Sequence, residues 1–348
     1  MTDKNVLGTK EQLFSKTERL LEEEGAAGWK LAQEVILKEE TTNTELNEAM
    51  QHIMLKSPPD YFRPAILSLC SKAVGGLSEV TIPTGASMVL FARAIGIHDD
   101  IIDQSKTKNN YVTIFGKFDR DVAIILADIL LFKGFTLLRK TIELGVPTQR
   151  IVSILDVIER IWFAQSEGGI LEIQARGKTC ISPSVCLTKI KMIASETEVI
   201  TRIGGLLGGG TKEAVDALGR YGRLLGLASI LRNELIDVLD LKELRHRIKR
   251  ESLPLPVVYA MQFSCAKSEL VSLIGRKRLT TTVLREILRA SDKVGGMNYV
   301  ANLIAKTTQK AHSYITMFKH KEPTALELLL ATLPVEPEEW KPILKNTN

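Results

Sequence analysis

Ile97-His98-Asp99-Asp100-Ile101-Ile102-Asp103 is the stretch on which the reading of this chain turns. It continues the apolar run Ala86 to Ile97 without a turn signal, so three carboxylates ride on a helix that otherwise belongs in a core. On a helix, Asp99 and Asp103 stand one turn apart on one face, with Asp100 beside Asp103. Stacked like charges repel, by about 0.2–0.5 kcal/mol per exposed pair and by more when desolvated. Carboxylates in the C-terminal part of a helix also oppose its macrodipole. A bound cation removes that cost. Oxygen ligands suit a hard ion such as Mg²⁺, which keeps waters and shares a substrate phosphate. The plainer alternative is a solvated acidic helix end; the apolar neighbours Ile97, Ile101 and Ile102 speak against it.

Outward from this stretch, apolar residues recur at three- and four-residue spacing over 10–38, 42–56, 62–74, 84–107, 120–144, 148–175, 185–208, 212–240, 253–272, 280–291 and 296–319. Breakers separate them, among them Pro58-Pro59, Gly75-Gly76, Pro183 and Gly208 to Gly210. Alternating strand patterns are absent, and the tail after about 322 reads as a short helix with a frayed end. The expectation is an all-α chain, one all-helical domain over 1–348. Long helices with short connections imply an antiparallel bundle larger than four helices, with polar sites built in its interior.

A second acidic cluster, Arg232-Asn233-Glu234-Leu235-Ile236-Asp237, lies inside the apolar run Leu224 to Leu239. Asn233 and Asp237 share a face with Glu234 adjacent, and all three offer oxygen ligands. Taken alone, this reads equally well as an ordinary helix face. The basic run Arg245 to Arg250 reads as a solvated turn between helices, with an anion-binding edge as the alternative.

The 348 residues are 45% hydrophobic and 25% charged, the balance of a folded globule. A net charge of +5 with interspersed signs argues against nucleic acid as a partner. Cys70, Cys180, Cys186 and Cys265 lack metal spacing and suit a reducing compartment. Met1 to Lys10 carry no apolar signal core and no run of about 18 apolar residues stands out, so a cytoplasmic chain without a transmembrane segment is expected.

The ordered set of motifs over roughly 45–262 resembles the trans-isoprenyl diphosphate synthase (polyprenyl synthetase) family. It comprises Phe62-Arg63-Pro64, Asp99-Asp100-Ile101-Ile102-Asp103, Ala127-Asp128-Ile129-Leu130-Leu131, Gly204-Gly205-Leu206-Leu207-Gly208-Gly209, and Gly219 to Ala228 leading into the second cluster. The resemblance implies a large helical bundle with a central cavity. It implies an allylic prenyl diphosphate as substrate, and Mg²⁺ held by Asp99, Asp100 and Asp103 and by Asn233, Glu234 and Asp237. Arg63, Lys108, Lys191 and Arg232 become candidates for binding diphosphate. Phe91, Ala94 and Ile95, one to two turns before the first motif, become candidates for setting chain length. Glu172 is a candidate for the cavity lining, and His98 a polar residue at its rim. His52, His246, His312 and His320 read as surface residues. A homodimer or heteromer is implied as well.

The departures from the family pattern gather on one side. Where the family carries Gly-Gly-Lys-Arg-x-Arg-Pro to bind isopentenyl diphosphate (IPP), this chain reads Pro58-Pro59-Asp60-Tyr61-Phe62-Arg63-Pro64. A family histidine falls at Ala92, an Arg-Arg pair at Lys108-Asn109, a Phe-Gln pair at Ser229-Ile230 and a Lys-Thr pair at Met192-Ile193 beside Lys191. The expectation is a prenyltransferase with a weakened or altered IPP acceptor site. The alternatives are a terpene cyclase-like or other-acceptor enzyme on the same fold, and a non-catalytic regulatory subunit of a heteromeric synthase.

Overall fold

A computed structural model describes residues 10–108, 111–318 and 323–345, without the side chains of 323, 324 and 345. The polar stretch 1–9, Asn109 and His320 lie outside the described residues. The described chain is helical almost throughout: α1 (Lys10–Leu37), α2 (Thr44–Gln51), α3 (Phe62–Ala73), α4 (Ile82–Ile102), α5 (Ile114–Glu143), α6 (Thr148–Ala175), α7 (Pro183–Ile193) and α8 (Ser195–Leu207). There follow α9 (Lys212–Asp237), α10 (Leu241–Arg250), α11 (Leu255–Ala260), α12 (Ser264–Ile274), α13 (Thr281–Lys293), α14 (Gly296–Ile315), α15 (Pro323–Ala331) and α16 (Pro337–Lys345). Two short antiparallel strands, β1 (Thr107–Lys108) and β2 (Tyr111–Val112), are the departure from an all-helical reading; Lys108 stands opposite Tyr111.

The chain divides into two compact units. The first is Met1–Val157, Ile200–Leu218 and Met317–Leu326; the second is Ile158–Val199, Gly219–Thr316 and Glu327–Asn348. In the first unit α4 packs along α5, and α1 packs on both α3 and α4. The core they share includes Trp29, Ile36, Leu90, Ala94, Ile97, Leu126 and Leu130. Two glycines set the spacing. A Cβ at Gly28 would come 2.5 Å from Pro64 Cβ, and one at Gly134 would come 2.6 Å from Phe91 Cε1. Glu24 ties α1 to α3 by accepting from Ser68 Oγ at 2.8 Å and Lys72 Nζ at 2.5 Å.

The stretch Glu79–Ile102 has the length and hydropathy to cross a membrane, which corrects the reading that no such run exists. It is 67% buried among its neighbours, as a core helix is. The apolar pattern read as one segment to 107 stops at Ile102, because Asp103 caps α4 and Gln104 turns to φ +55°. Likewise α5 begins at Ile114, capped by Thr113 Oγ1, which accepts from Gly116 N at 2.9 Å. It breaks at Asp119 (φ 64°), the point where regular periodicity begins in the sequence.

In the second unit α11 packs on α7, α13 and α14, while α10 and α12 pack on α13. The basic run 245–250 is not a turn. It forms the second half of α10, capped by Asp240, whose Oδ1 accepts from Lys242 N at 2.7 Å.

Candidate active site

Asp99, Asp100 and Asp103 end α4 in the first unit. Asp99 is exposed, while Asp100 and Asp103 are half-buried. The Asp103 amide donates to Asp99 O at 2.8 Å, and Ser105 N to Asp100 O at 2.8 Å, so the backbone holds the three carboxylates in one turn. The hairpin that follows is fastened to the core: Thr113 Oγ1 donates to Ser105 O at 2.8 Å, and His52 Nε2 lies 2.7 Å from Val112 O. The His52 ring also stacks on Tyr111 at 5.2 Å, so His52 is a structural residue of this hairpin rather than a bystander at the surface.

Burial pushes the Asp100 carboxyl up to about 6; Lys108 opposes that rise and Asp103 adds to it. Among the described residues no three His, Cys, Asp or Glu side chains converge on one point. Mg²⁺ does not require that, since it is commonly held by one or two carboxylates together with water and substrate phosphate.

Along the Asp99 face of α4, Ala92, Ile95 and Gly96 are half-exposed, and a Cβ at Gly96 would meet open space. Ile95 therefore stands where a chain-length residue is expected. Ala94 is fully buried in the core of the unit. Phe91 is 5% exposed, pressed against Gly134 and 4.7 Å from the Phe135 ring. It is a packing residue, and Phe91→Ala is expected to lower stability by about 3–5 kcal/mol in urea denaturation.

The segment before α3 departs from the family pattern in charge as well as in sequence. Asp60 Oδ2 accepts from Arg63 Nη1 at 2.6 Å, and the Asp60 side chain is only 9% exposed. Arg93 Nη2 donates to Pro58 O and its guanidinium lies 5.1 Å from the Trp29 ring. Burial draws the Arg93 pKa down, with Asp60 opposing and Arg63 adding. Arg93 adjoins Ala92, where the family histidine was expected, and sequence reasoning passed over it.

The second cluster belongs to the second unit. Asn233 is exposed and Asp237 half-buried, but Glu234 is 6% exposed and both its oxygens are committed. Oε1 accepts from Arg247 Nη2 at 2.7 Å and Oε2 from Leu255 N at 2.7 Å. Glu234 thus serves as a structural acceptor that ties α9 to α10 and α11. Arg247 is 5% exposed and also lies 3.8 Å from Asp237 Oδ2 and 3.6 Å from Glu251 Oε2. His246 Nε2 sits 3.3 Å from Glu251, and His312 Nε2 lies 3.2 Å from Glu327. Burial pushes Asp237 up to about 6, with Arg247 opposing.

The remaining expected residues are dispersed. Lys191 is exposed near the end of α7. Arg232 is half-buried, and Glu339 of α16 acts on its charge. Lys108 is exposed on β1 close enough to act on Asp100. Glu172 accepts from Ser252 N at 2.6 Å and Ser252 Oγ at 2.9 Å, and pairs with the buried Lys189, which donates to Ser252 Oγ at 2.7 Å.

Burial alone would raise the Glu172 pKa, but Lys189 and Ser252 more than offset it and hold it below its ordinary value. Its folded-state pKa being depressed, the network's stabilisation is present above the unfolded pKa and is lost as pH falls through the lower folded value. The urea midpoint difference between wild type and Glu172→Gln is therefore expected to be constant near neutrality and to shrink below about pH 4.5.

The fold is that of the trans-prenyltransferase helical bundle. It matches geranylgeranyl pyrophosphate synthetase from Pyrococcus horikoshii with a TM-score of 0.81 at 21% identity, over 94% of this chain and 99% of that one. A polyprenyl synthase from Caulobacter crescentus, complexed with calcium and isoprenyl diphosphate, matches at 0.79 and 20%, over 94% and 98%. Residues 43–291 match the polyprenyl synthetase family model, and the chain belongs to that family of prenyltransferases. Its curated relatives include geranylgeranyl diphosphate synthase of Methanosarcina mazei, 27% identical over 74% of this chain and 78% of the relative. Octaprenyl diphosphate synthase of Escherichia coli is 22% identical over 79% and 85%.

Proposed function

We propose that this chain is a Mg²⁺-dependent prenyltransferase that ionises an allylic prenyl diphosphate at the Asp99–Asp103 face, with an acceptor side altered from that used for IPP. The single observation that carries the first half is the end of α4, where three carboxylates fall within one turn at the negative pole of a helix. Asp99 and Asp103 would hold the ion, with Asp100 and Lys108 behind them. The ion, when bound, supplies positive charge to the departing pyrophosphate. Lys108, close to Asp100, would pair with the diphosphate, and the apolar Ala92–Ile95–Gly96 face would lie along the prenyl chain as the C–O bond breaks.

The second half is supported by Asp60. Its carboxylate occupies the guanidinium of Arg63, the one cation of the family's acceptor motif that this chain keeps, and it repels a diphosphate. That observation favours another acceptor, or cyclisation, over chain elongation. Incubation with dimethylallyl, geranyl and farnesyl diphosphates, each with and without IPP, tests it by product analysis. Pyrophosphate release with little IPP consumption is expected; efficient elongation would refute the altered acceptor site. Asp60→Asn, which removes the negative charge beside Arg63 without adding bulk, is expected to lower the KM for IPP about tenfold, a change of about 1.4 kcal/mol.

A second copy of the chain is the partner we favour. Phe132 (78% exposed), Ile125 and Phe135 give α5 an exposed apolar side of the kind that subunit interfaces cover. Four unpaired cysteines support a reducing, cytoplasmic setting.

A further inference from the structure

We propose that the Arg247 guanidinium is the resident cation of the second acidic cluster, standing where a divalent ion would otherwise bind, so that the chain takes up its metal at the Asp99 face alone. This deepens the reading above and rests on it for the metal at Asp99.

The ligands of this cluster are already occupied. A magnesium ion needs oxygens at about 2.0–2.1 Å, free of competing donors. Both Glu234 oxygens already accept hydrogen bonds, one from Arg247 and one from Leu255 N, and the side chain is buried away from solvent. Arg247 reaches Glu234 at 2.7 Å, Asp237 at 3.8 Å and Glu251 at 3.6 Å, so one planar fork addresses three carboxylates. A guanidinium suits that task because its donors are fixed in a plane and its charge is permanent. What is left for a metal is the neutral amide oxygen of Asn233 and a shared Asp237. An ion there would face a like charge held within a few ångströms by α10. The other charged groups nearby, Glu243 on α10 and His246 against Glu251, do not supply a second free ligand pair on α9.

The substitution is also coherent in sequence. Asn233 removes one negative charge from the motif, and Arg247 adds one positive charge ten residues past Asp237. Both changes lower the demand of this cluster for an added cation.

The test is manganese binding to the full chain in the presence of inorganic pyrophosphate, read as manganese that travels with the protein on gel filtration. Three proteins are compared: wild type, Asn233→Ala/Asp237→Asn and Asp99→Asn/Asp103→Asn. The expected result is that Asn233→Ala/Asp237→Asn binds as many manganese equivalents as wild type, while Asp99→Asn/Asp103→Asn loses them all. Loss of one or more equivalents in Asn233→Ala/Asp237→Asn overturns the proposal. Retention of every equivalent in Asp99→Asn/Asp103→Asn overturns instead the reading of the first cluster, so the two failures are told apart. Asn233 and Asp237 lie at the accessible side of α9 and their replacements are smaller or isosteric, so the variant keeps its fold; circular dichroism checks this.

Discussion

Replacing Arg247 by alanine is expected to cost the chain about 3–5 kcal/mol of stability, the range for breaking a buried ion pair from one side. The residue is 5% exposed and its partner Glu234 is 6% exposed, so the deletion leaves a carboxylate without its cation in a site that water does not reach. Glu251 and Asp237, already raised by burial, would lose the charge that opposes the rise. Guanidinium chloride denaturation of the purified variant measures the loss. The double variant Glu234→Gln/Arg247→Met separates the causes: it removes both charges and is expected to recover most of the stability. Equal loss in both would assign the effect to packing of the long Arg247 stem.

The second large effect is on chemistry. Asp99→Asn/Asp103→Asn is expected to slow pyrophosphate release from an allylic diphosphate by about 10²–10³-fold, the usual consequence of removing an electrostatic stabiliser of a leaving group. The same variant is expected to be no less stable than wild type, and more stable by a few tenths of a kcal/mol. Its two lost charges repel each other and lie at the negative end of α4, where the macrodipole disfavours them. Activity lost with stability kept or gained is a signature that a structural role for these residues does not produce. Steady-state release assays and thermal melts on the same preparation read both.

Much of this was legible in the sequence, for reasons that can be named. The 3.6-residue periodicity gave α6 at its observed limits, 148–175, and α1 to within a residue, because long amphipathic helices repeat their signal many times. The segment 185–208 divides into α7 and α8 across Ala194, where apolar spacing carries on although the helix does not. The stop of α4 at Ile102 was missed because the left-handed Gln104 has none of the usual turn residues' markings. The helix α10 was missed although its signals were present: Asp240 at the N-cap, Glu243 three residues on, and basic residues in the last turn. Its six basic residues suggested solvent, and only the fold reveals that Arg247 turns inward.

The site followed the same pattern. Spacing places Asp99 and Asp103 on one face of α4, and a local pattern can say that much. It cannot say that Asp60 faces Arg63, that Arg93 lies against Trp29, or that Glu234 is claimed by a residue thirteen positions away. Burial and partner choice are tertiary facts, and they gave Glu234, one of the expected ligands, partners on α10 and α11.

The central claim is that a divalent ion at Asp99 and Asp103 grips an allylic diphosphate. Calorimetric titration of an unreactive allylic thiolodiphosphate into the full chain, with Mg²⁺ and then with the metal removed by chelation, tests it most directly. The account predicts binding that requires Mg²⁺ in the wild type and is lost in Asp99→Asn/Asp103→Asn even with the metal present. Equal affinity with and without metal, or undiminished metal-dependent binding by that variant, would contradict it.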